Sequence, residues 1–487
     1  MADTASREGG FAAELPSKYL PPVTYQDLPE PVPLRRVVGA SVIILATALG
    51  SGEYVLWPYI TSQIGLVFMW GAVVGFLIQF FINMEVERYT LATGESAITG
   101  FARLWKPWWW LFIIFALCQN FWPGWATGSS TTLTFVFGLG EGAVVPITVA
   151  SLIAIGLALT LSPVVYDAVE KIQFVLVSLI CLFLIAAVFL ATRLEAWGDL
   201  ITGFANFPRV PIGEEGLGAA LLLGALAFAG AGGANNLVQS NYIRDKDMGM
   251  GARIPKIVSP LTGEEQAVPS LGYMFRADEE NMRRWRGWWR VANQEQFITF
   301  FLIGLATLIV LSVLAYSILP VGQVEEQNFD FVRTEGEILS ERIAPWFGIA
   351  FWLTGTFVLF STNLGIIDYT CRLIADQLKV NALRESQFWS ESRLYASFVW
   401  LMIIVGSIIL ISGMEQPLIL LVISSSIAGV MMFIYSGLLI WLNRVALPDP
   451  IKIRGVRLAV MVFSFLFFGF FSVYLVYDQI QTNILGG

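Results

Sequence analysis

Apolar runs of about 20 residues recur along the chain, each long enough for a helix rising roughly 1.5 Å per residue to cross some 30 Å of hydrocarbon. Eleven spans follow: Val37 to Thr61, Leu66 to Tyr89, Trp109 to Gly138, Ala143 to Leu161, Val169 to Thr192, Leu217 to Ile243, Phe297 to Leu319, Trp346 to Leu378, Leu394 to Ile411, Leu418 to Leu442 and Leu458 to Ile480. Two are interrupted. In span one, Gly50, Ser51 and Gly52 hand on to a single carboxylate, Glu53. In span six, Gly230 to Asn236 reads GAGGANN, three glycines and two amides where a helix favours Leu or Ala. Each interior glycine costs a helix close to 1 kcal/mol, and the backbone groups it frees are tolerated only beside a cavity or within protein. Both spans are expected to unwind.

The interrupted spans open two blocks of five: 35–192 holds spans one to five, and 193–442 holds spans six to ten. The remainder, 443–487, holds span eleven and the C-terminus. An odd number of crossings inserts the second block upside down. Glycine-interrupted spans at matching positions of inverted repeats point to a transporter's substrate site, made of unwound carbonyls and half-helix ends. An acid at that depth costs roughly 2.5–3.5 kcal/mol and by default faces a partner or a pathway. The competing reading of each glycine patch is close helix packing.

Composition agrees with the spans. Of 487 residues, 56% are hydrophobic and 14% charged, with mean hydropathy +0.69, against about 45–50% apolar in soluble domains. The chain is expected to be a multi-pass protein of the cell's inner or plasma membrane, with the lipid bilayer as its solvent. A net charge of −8 argues against nucleic acid. With the N-terminus inside, 25 of the 29 lysines and arginines fall on the cytoplasmic side, and only Arg193, Arg209, Arg333 and Arg342 lie outside. Cytoplasmic loops retain positive charge. This puts the loop 244–292 in the cytoplasm and the C-terminus outside, and makes RRWRGWWR (Arg283 to Arg290) an interfacial anchor. The tail 1–34 reads as a disordered cytoplasmic lead, and the acidic stretch Val321 to Arg342 as a solvated external loop. The three cysteines read as buried thiols.

There is no histidine, which removes imidazole as metal ligand, proton relay or catalytic base. Without a nucleotide motif or a base for a nucleophile, no enzyme activity and no cofactor are expected. Further polar groups lie inside the spans. Asn120, Trp122 and Trp125 in span three are candidates for a cavity wall, or for packing at the Pro123 kink. In span eight, Asn363, Asp368, Arg372 and Asp376 follow helical spacing, and Asp368 and Arg372, four apart, can pair as an inner gate or a structural pair. Glu85 and Arg88 raise the same choice. Ser424 to Ser426 offer hydroxyls or cap carbonyls.

At the two breaks the sequence resembles the NRAMP family of divalent-metal transporters. The resemblance extends through QFFINMEVERYTLATGES (Gln79 to Ser96), YDAVEKIQFVLV (Tyr166 to Val177) and STNLG (Ser361 to Gly365). It implies an all-α membrane protein of the leucine-transporter fold, with 11 transmembrane helices, a five-plus-five inverted repeat and broken helices one and six. The family's Asp-Pro-Gly-Asn of the first span is replaced by Gly50, Ser51, Gly52 and Glu53, and its Met-Pro-His-Asn of the sixth by Gly233, Ala234, Asn235 and Asn236. The family's carbonyl ligand falls on Gly230. By this resemblance the metal site comprises Glu53, Gly50, Gly230, Gly233, Asn235 and Asn236. Loss of the soft methionine sulfur favours Mg²⁺ or Mn²⁺ over softer transition metals, and the NRAMP-related magnesium transporters also lack that methionine.

GSGEYVLWP also resembles the Gly-Ser-Gly stretch of amino-acid transporters in the wider amino acid-polyamine-organocation superfamily. There the exposed amides of a broken helix hold a carboxylate. The expected function is a monomeric secondary transporter of a hard divalent cation, working by alternating access and without proton coupling. The alternatives are an amino-acid or organic-cation transporter, or a receptor or scaffold on the same fold.

Overall fold

The computed structural model describes residues 10–36, 49–161, 165–211, 217–254, 271–322 and 329–483. Among the described residues eight helices are long and apolar enough to cross a membrane: Met69–Thr93, Glu141–Leu161, Lys171–Leu190, Glu279–Ile318, Pro345–Asn381, Glu391–Ile411, Pro417–Val445 and Gly455–Gln481. They coincide with spans two, four, five and seven to eleven.

Of the other three expected spans, three and six are each divided in two, and the first is described only in its second half. Span one is described only from Leu49, and its first half lies outside the described residues. Gly52–Leu56 winds as a π-helical turn and continues as the α-helix Trp57–Ile64. Span six divides into Ala219–Ala227 and Ala234–Asp245. Between them Gly230 and Gly233 take φ of 114° and 73°, a region in which a Cβ is strained and glycine is not. Span three, expected as one helix, is also two, Trp108–Asn120 and Gly124–Phe137. Pro123, which has no N–H to donate, stands at its joint.

Span eight is the post of the bundle and packs against spans three, five, nine and the second half of six. Span ten packs along the first half of six and along span eleven. Close approach there depends on small residues. Gly429 lies against Leu223, where an added Cβ would come within 2.5 Å of a leucine methyl.

Two loop expectations are corrected. The tail is not a disordered lead over its described part, 10–34. Leu15, Leu20, Val23 and Leu28 are buried, and short bridges join Phe11 to Thr24 and Tyr25 to Met274. Proline carbonyls of the tail accept from buried donors: Arg103 Nη1 donates to Pro16 and Pro21 at 3.1 and 2.9 Å, and Trp288 Nε1 to Pro29 at 2.8 Å. Residues 1–9 are outside the described set. The Arg283 to Arg290 segment leads into span seven as expected, as one helix from Glu279, and Trp285 and Trp288 are buried, Trp288 against the tail. The acidic external stretch is not wholly solvated either. Asp330–Arg342 is a helix whose Glu335 is buried, and burial without an ionic partner pushes that carboxyl up to about 8.

The tail, the turn after span two and the helical start of span seven gather on one face. Glu95 in that turn pairs with Arg103 at 2.5 Å. Burial pushes the Glu95 carboxyl up, but the adjacent guanidinium outweighs burial and holds it below the usual carboxylate range. At the other face, Glu141, Asp330, Glu337 and Glu415 rim a vestibule of ≈ 500 Å³ with Arg333 among them.

Candidate functional site

The glycine stretch of span one, helical from Ser51, meets the break of span six. Gly52 lies so close to the Phe228 carbonyl that any side chain at 52 would collide with it, and Trp57 Nε1 donates to the Ala225 carbonyl at 2.9 Å. Glu53 is fully buried. Its Oε2 accepts from the Gly50 N–H at 3.0 Å, while Oε1 has no hydrogen-bond partner among the described residues. A buried carboxylate is expensive unless paired or bound, and backbone groups of Gly50, Glu53 and Gly230 hold this one at the junction of the two spans, which makes Glu53 the candidate centre of the site.

The carbonyls released by the break in span six are held open by side chains. Gln79 Nε2 donates to both Ala227 and Ala229 at 2.8 Å. Gln119 Oε1 accepts from the Ala234 N–H at 3.0 Å and so caps the second half-helix. In a bilayer these amides replace the water that would otherwise satisfy an unwound backbone.

Between the breaks lies a small cavity of ≈ 20 Å³, room for about one water-sized group. Ser51, Gly52, Gln119, Trp125, Thr362 and Tyr369 line it, together with Phe228, Gly230, Ala231, Gly232, Asn235 and Ile366. Trp125 Nε1 donates to Ser51 Oγ at 3.1 Å. Of the six metal-site residues expected from sequence, Gly230 and Asn235 line the cavity, and Asn235 Oδ1 is buried without a partner. Glu53 and Gly50 stand immediately behind the wall. Asn236 is committed elsewhere: its Nδ2 donates to Asn83 at 2.7 Å and its Oδ1 accepts from Tyr435 at 2.6 Å. Gly233 takes the strained turn before the second half-helix and is not a lining residue. Among the described residues no three carboxylates or thiols cluster as a metal cage, so the donors here are one carboxylate and neutral oxygens.

The remaining candidates divide between the wall and a polar network towards the tail face. Asn120 orients the wall, accepting from Tyr369 at 3.0 Å and donating to Thr370 at 2.9 Å. Trp122 points away, its Nε1 donating to Cys118 at 2.8 Å, and Trp125 takes the lining position. Asn363 is buried, its Nδ2 unpartnered, and it does not line the cavity. Asp368 accepts from Arg372 Nε at 2.8 and 2.9 Å, from Tyr395 at 2.7 Å and from Tyr242 at 3.2 Å, and Arg372 also pairs with Asp245. One turn on, Asp376 accepts from Arg244 at 2.8 Å and Ser96 at 2.7 Å. Every charged member is buried. The network ties the second half of span six to spans eight and nine.

Sequence patterns had not singled out Gln79, Ser51 as a lining hydroxyl, Thr362 or Tyr369. Their one signal is that neutral polar groups stand beside the breaks, a pattern shared with many packing positions.

No family model matches the chain, and no curated protein does. Solved structures do. A variant of the Eremococcus coleocola manganese transporter is 12% identical, with TM-score 0.66 over 95% of this chain and 92% of its own. Another variant of that transporter gives 0.67 over 93% and 89% at the same identity. MhsT in complex with L-phenylalanine is 15% identical, with TM-score 0.53 over 91% and 98%. Together these define the class: a multi-pass membrane protein of the leucine-transporter fold. The metal-transporter likeness of the sequence therefore holds at the level of the fold, where a manganese transporter and an amino-acid-bound protein are both neighbours.

Proposed function

We propose that this chain is a secondary transporter that carries a hard divalent cation, Mg²⁺ or Mn²⁺, by alternating access around the meeting breaks of spans one and six. The observation that carries the proposal is the sealed Glu53 carboxyl with one unbonded oxygen, behind an ion-sized cavity edged by Asn235, Ser51 and Thr362. Oxygen donors of this kind suit hard ions, and Mg²⁺ in particular retains water and needs only one or two carboxylates. The conformation is the closed one. Release towards the tail face requires the Asp245–Arg372 and Arg244–Asp376 pairs to part, so that span six separates from span eight. Entry from the other side is favoured by the acidic vestibule, whose field concentrates cations.

The two halves, 35–192 and 193–442, act as the inverted repeats that rock against each other. The protein works as a monomer in the cell's inner or plasma membrane, with the tail face cytoplasmic, where the basic loops gather, and the C-terminus outside. With one carboxylate at the site and no histidine, cargo and proton have no separate carriers, and uptake is uncoupled. A second reading, an organic ammonium or amino acid, is favoured by the aromatic lining of Trp125, Phe228 and Tyr369, which suits a cation over ring faces. Binding separates the two. Mn²⁺ and a panel of amines and amino acids are titrated calorimetrically into the purified chain, wild type against Glu53→Gln. Heat from Mn²⁺ that vanishes in the variant supports the metal reading, and heat from an amine alone supports the other. Silence towards all of them points to a receptor or scaffold.

A further inference from the structure

The stretch RRWRGWWR (Arg283 to Arg290), at the head of span seven, carries four surface arginines that divide two and two. Arg283 pairs with Glu30 and Glu280 at 2.7 and 2.8 Å, and Arg284 with the same two acids at 3.1 and 3.2 Å, so this pair serves the tail. Arg286 and Arg290 are exposed and have no hydrogen bond or ion pair among the described residues. Four positions apart, they are neighbours on one helix face, where like charges weaken the helix unless an anion joins them.

A third guanidinium stands on the same side. Arg457, at the start of span eleven, donates to Asn293 Oδ1, and lies 4.7 Å from the Trp289 ring and 5.4 Å from that of Phe81. Both Glu85 oxygens accept from Arg88, at 2.7 and 2.9 Å, and Arg457 is 3.8 Å from Glu85, without a hydrogen bond to it. The acids of this corner, Glu85, Glu87 and Glu295, are buried, so the surface presents the arginines. Past them the wall turns aromatic. Phe297 and Phe301 of span seven stack with centroids 5.5 Å apart, and Phe80 of span two meets each at 6.1 Å. Phe297 is 45% exposed. It lies about 10 Å along the helix from Arg290, close to the depth of a headgroup zone, roughly 5–8 Å on each side of the hydrocarbon.

We propose that Arg286, Arg290 and Arg457 hold the phosphate of one anionic phospholipid, drawn from the leaflet at the tail face, with an acyl chain along Phe80, Phe297 and Phe301. Basic clusters between helices at such an interface take lipid headgroups, and the planar fork of arginine matches phosphate oxygens. The occupant is a lipid and not a soluble anion because the arginines adjoin exposed rings that hydrocarbon must cover. Bound there, it bridges spans seven and eleven where Arg457 meets Asn293.

The test is thermal unfolding of the purified full chain in mild detergent, titrated with short-chain phosphatidylglycerol, phosphatidylcholine or inorganic phosphate at constant ionic strength. Phosphatidylglycerol is expected to raise Tm saturably, phosphatidylcholine to be at least tenfold weaker, and inorganic phosphate to have no effect. Arg286→Gln combined with Arg290→Gln changes two exposed side chains and is expected to fold. It raises the half-saturating phosphatidylglycerol concentration about 30-fold, the loss of two arginine–phosphate attractions. Arg384→Gln combined with Arg393→Gln removes two charges from the loop between spans eight and nine and leaves the response intact. A response that survives Arg286→Gln with Arg290→Gln overturns the proposal. So does an equal response to phosphatidylcholine, which would make the wall a plain hydrocarbon contact, or to inorganic phosphate, which would make it a soluble-anion site. Equal loss in the two double variants, the mark of diffuse surface charge, or a wild type indifferent to phosphatidylglycerol, overturns it as well.

Discussion

Replacing Arg372 with Gln removes the shared partner of Asp368 and Asp245 inside a network whose members are all buried. Breaking a buried pair from one side costs about 3–5 kcal/mol, because a charge is left uncompensated. The contact joins span six to span eight, so the cost falls on the closed conformation, and an opened one exposes the abandoned carboxylates to water. At 1.4 kcal/mol per tenfold, about 3 kcal/mol shifts the closed-to-open ratio by roughly 100-fold. The chain carries its own reporter. Cys371 adjoins Arg372, is fully buried, and has its Sγ 3.7 Å from Met402 Sδ. With Cys118 and Cys181 changed to Ala, labelling of Cys371 by a membrane-impermeant maleimide is expected to accelerate about 100-fold in Arg372→Gln, with the helical circular dichroism and the elution volume unchanged. A labelling rate equal to the parent's would refute the reasoning and leave the Asp368–Arg372 pair structural only.

Three further outcomes follow from the packing. Gln79→Leu leaves the Ala227 and Ala229 carbonyls without their donor, and at about 1–3 kcal/mol for a buried unsatisfied group it lowers Tm by about 1–3 °C, read by differential scanning fluorimetry. Glu335 has a folded-state pKa, about 8, above its ordinary value near 4.5. Its contribution to stability is therefore complete below about pH 4.5 and is lost as pH rises through about 8. Tm should fall across that window, and Glu335→Gln should flatten the profile. Trp288→Ala removes a buried indole and its bond to Pro29, at about 3–5 kcal/mol for the side chain. The tail around Pro29 should then be cut by protease at least tenfold faster than in the parent, followed by mass spectrometry, with the rest of the chain intact.

What could be read from sequence was whatever left a periodic or conformational trace. The break in span six was legible because three glycines and two amides crowd into the seven positions from Gly230 to Asn236, and Gly230 and Gly233 do adopt backbone angles that other residues avoid. Eight of the spans were legible from length alone. The joint in span three was partly visible in Pro123, although an apolar run on both sides of it reads as one helix. The tail was misread because its order comes from elsewhere: Pro16, Pro21 and Pro29 offer carbonyls to Arg103 and Trp288, more than 80 positions away in the chain. Glu335 looked like one more acid of a solvated loop, since burial is a property of the packed helix and not of its composition. At the site, Glu53 was conspicuous as a lone acid. Thr362 and Tyr369 were not, because hydroxyls at helical spacing are as common in packing as in binding.

The central claim is that Glu53 sits at the path of a hard divalent cation. Proteoliposomes containing the full chain, loaded with a Mg²⁺- or Mn²⁺-sensitive dye and challenged with each ion and with an amine panel, test it directly. Saturable divalent-ion uptake by the wild type, lost in Glu53→Gln, is the expected result. Amine uptake with no divalent flux, or equal divalent flux in the two proteins, would contradict it.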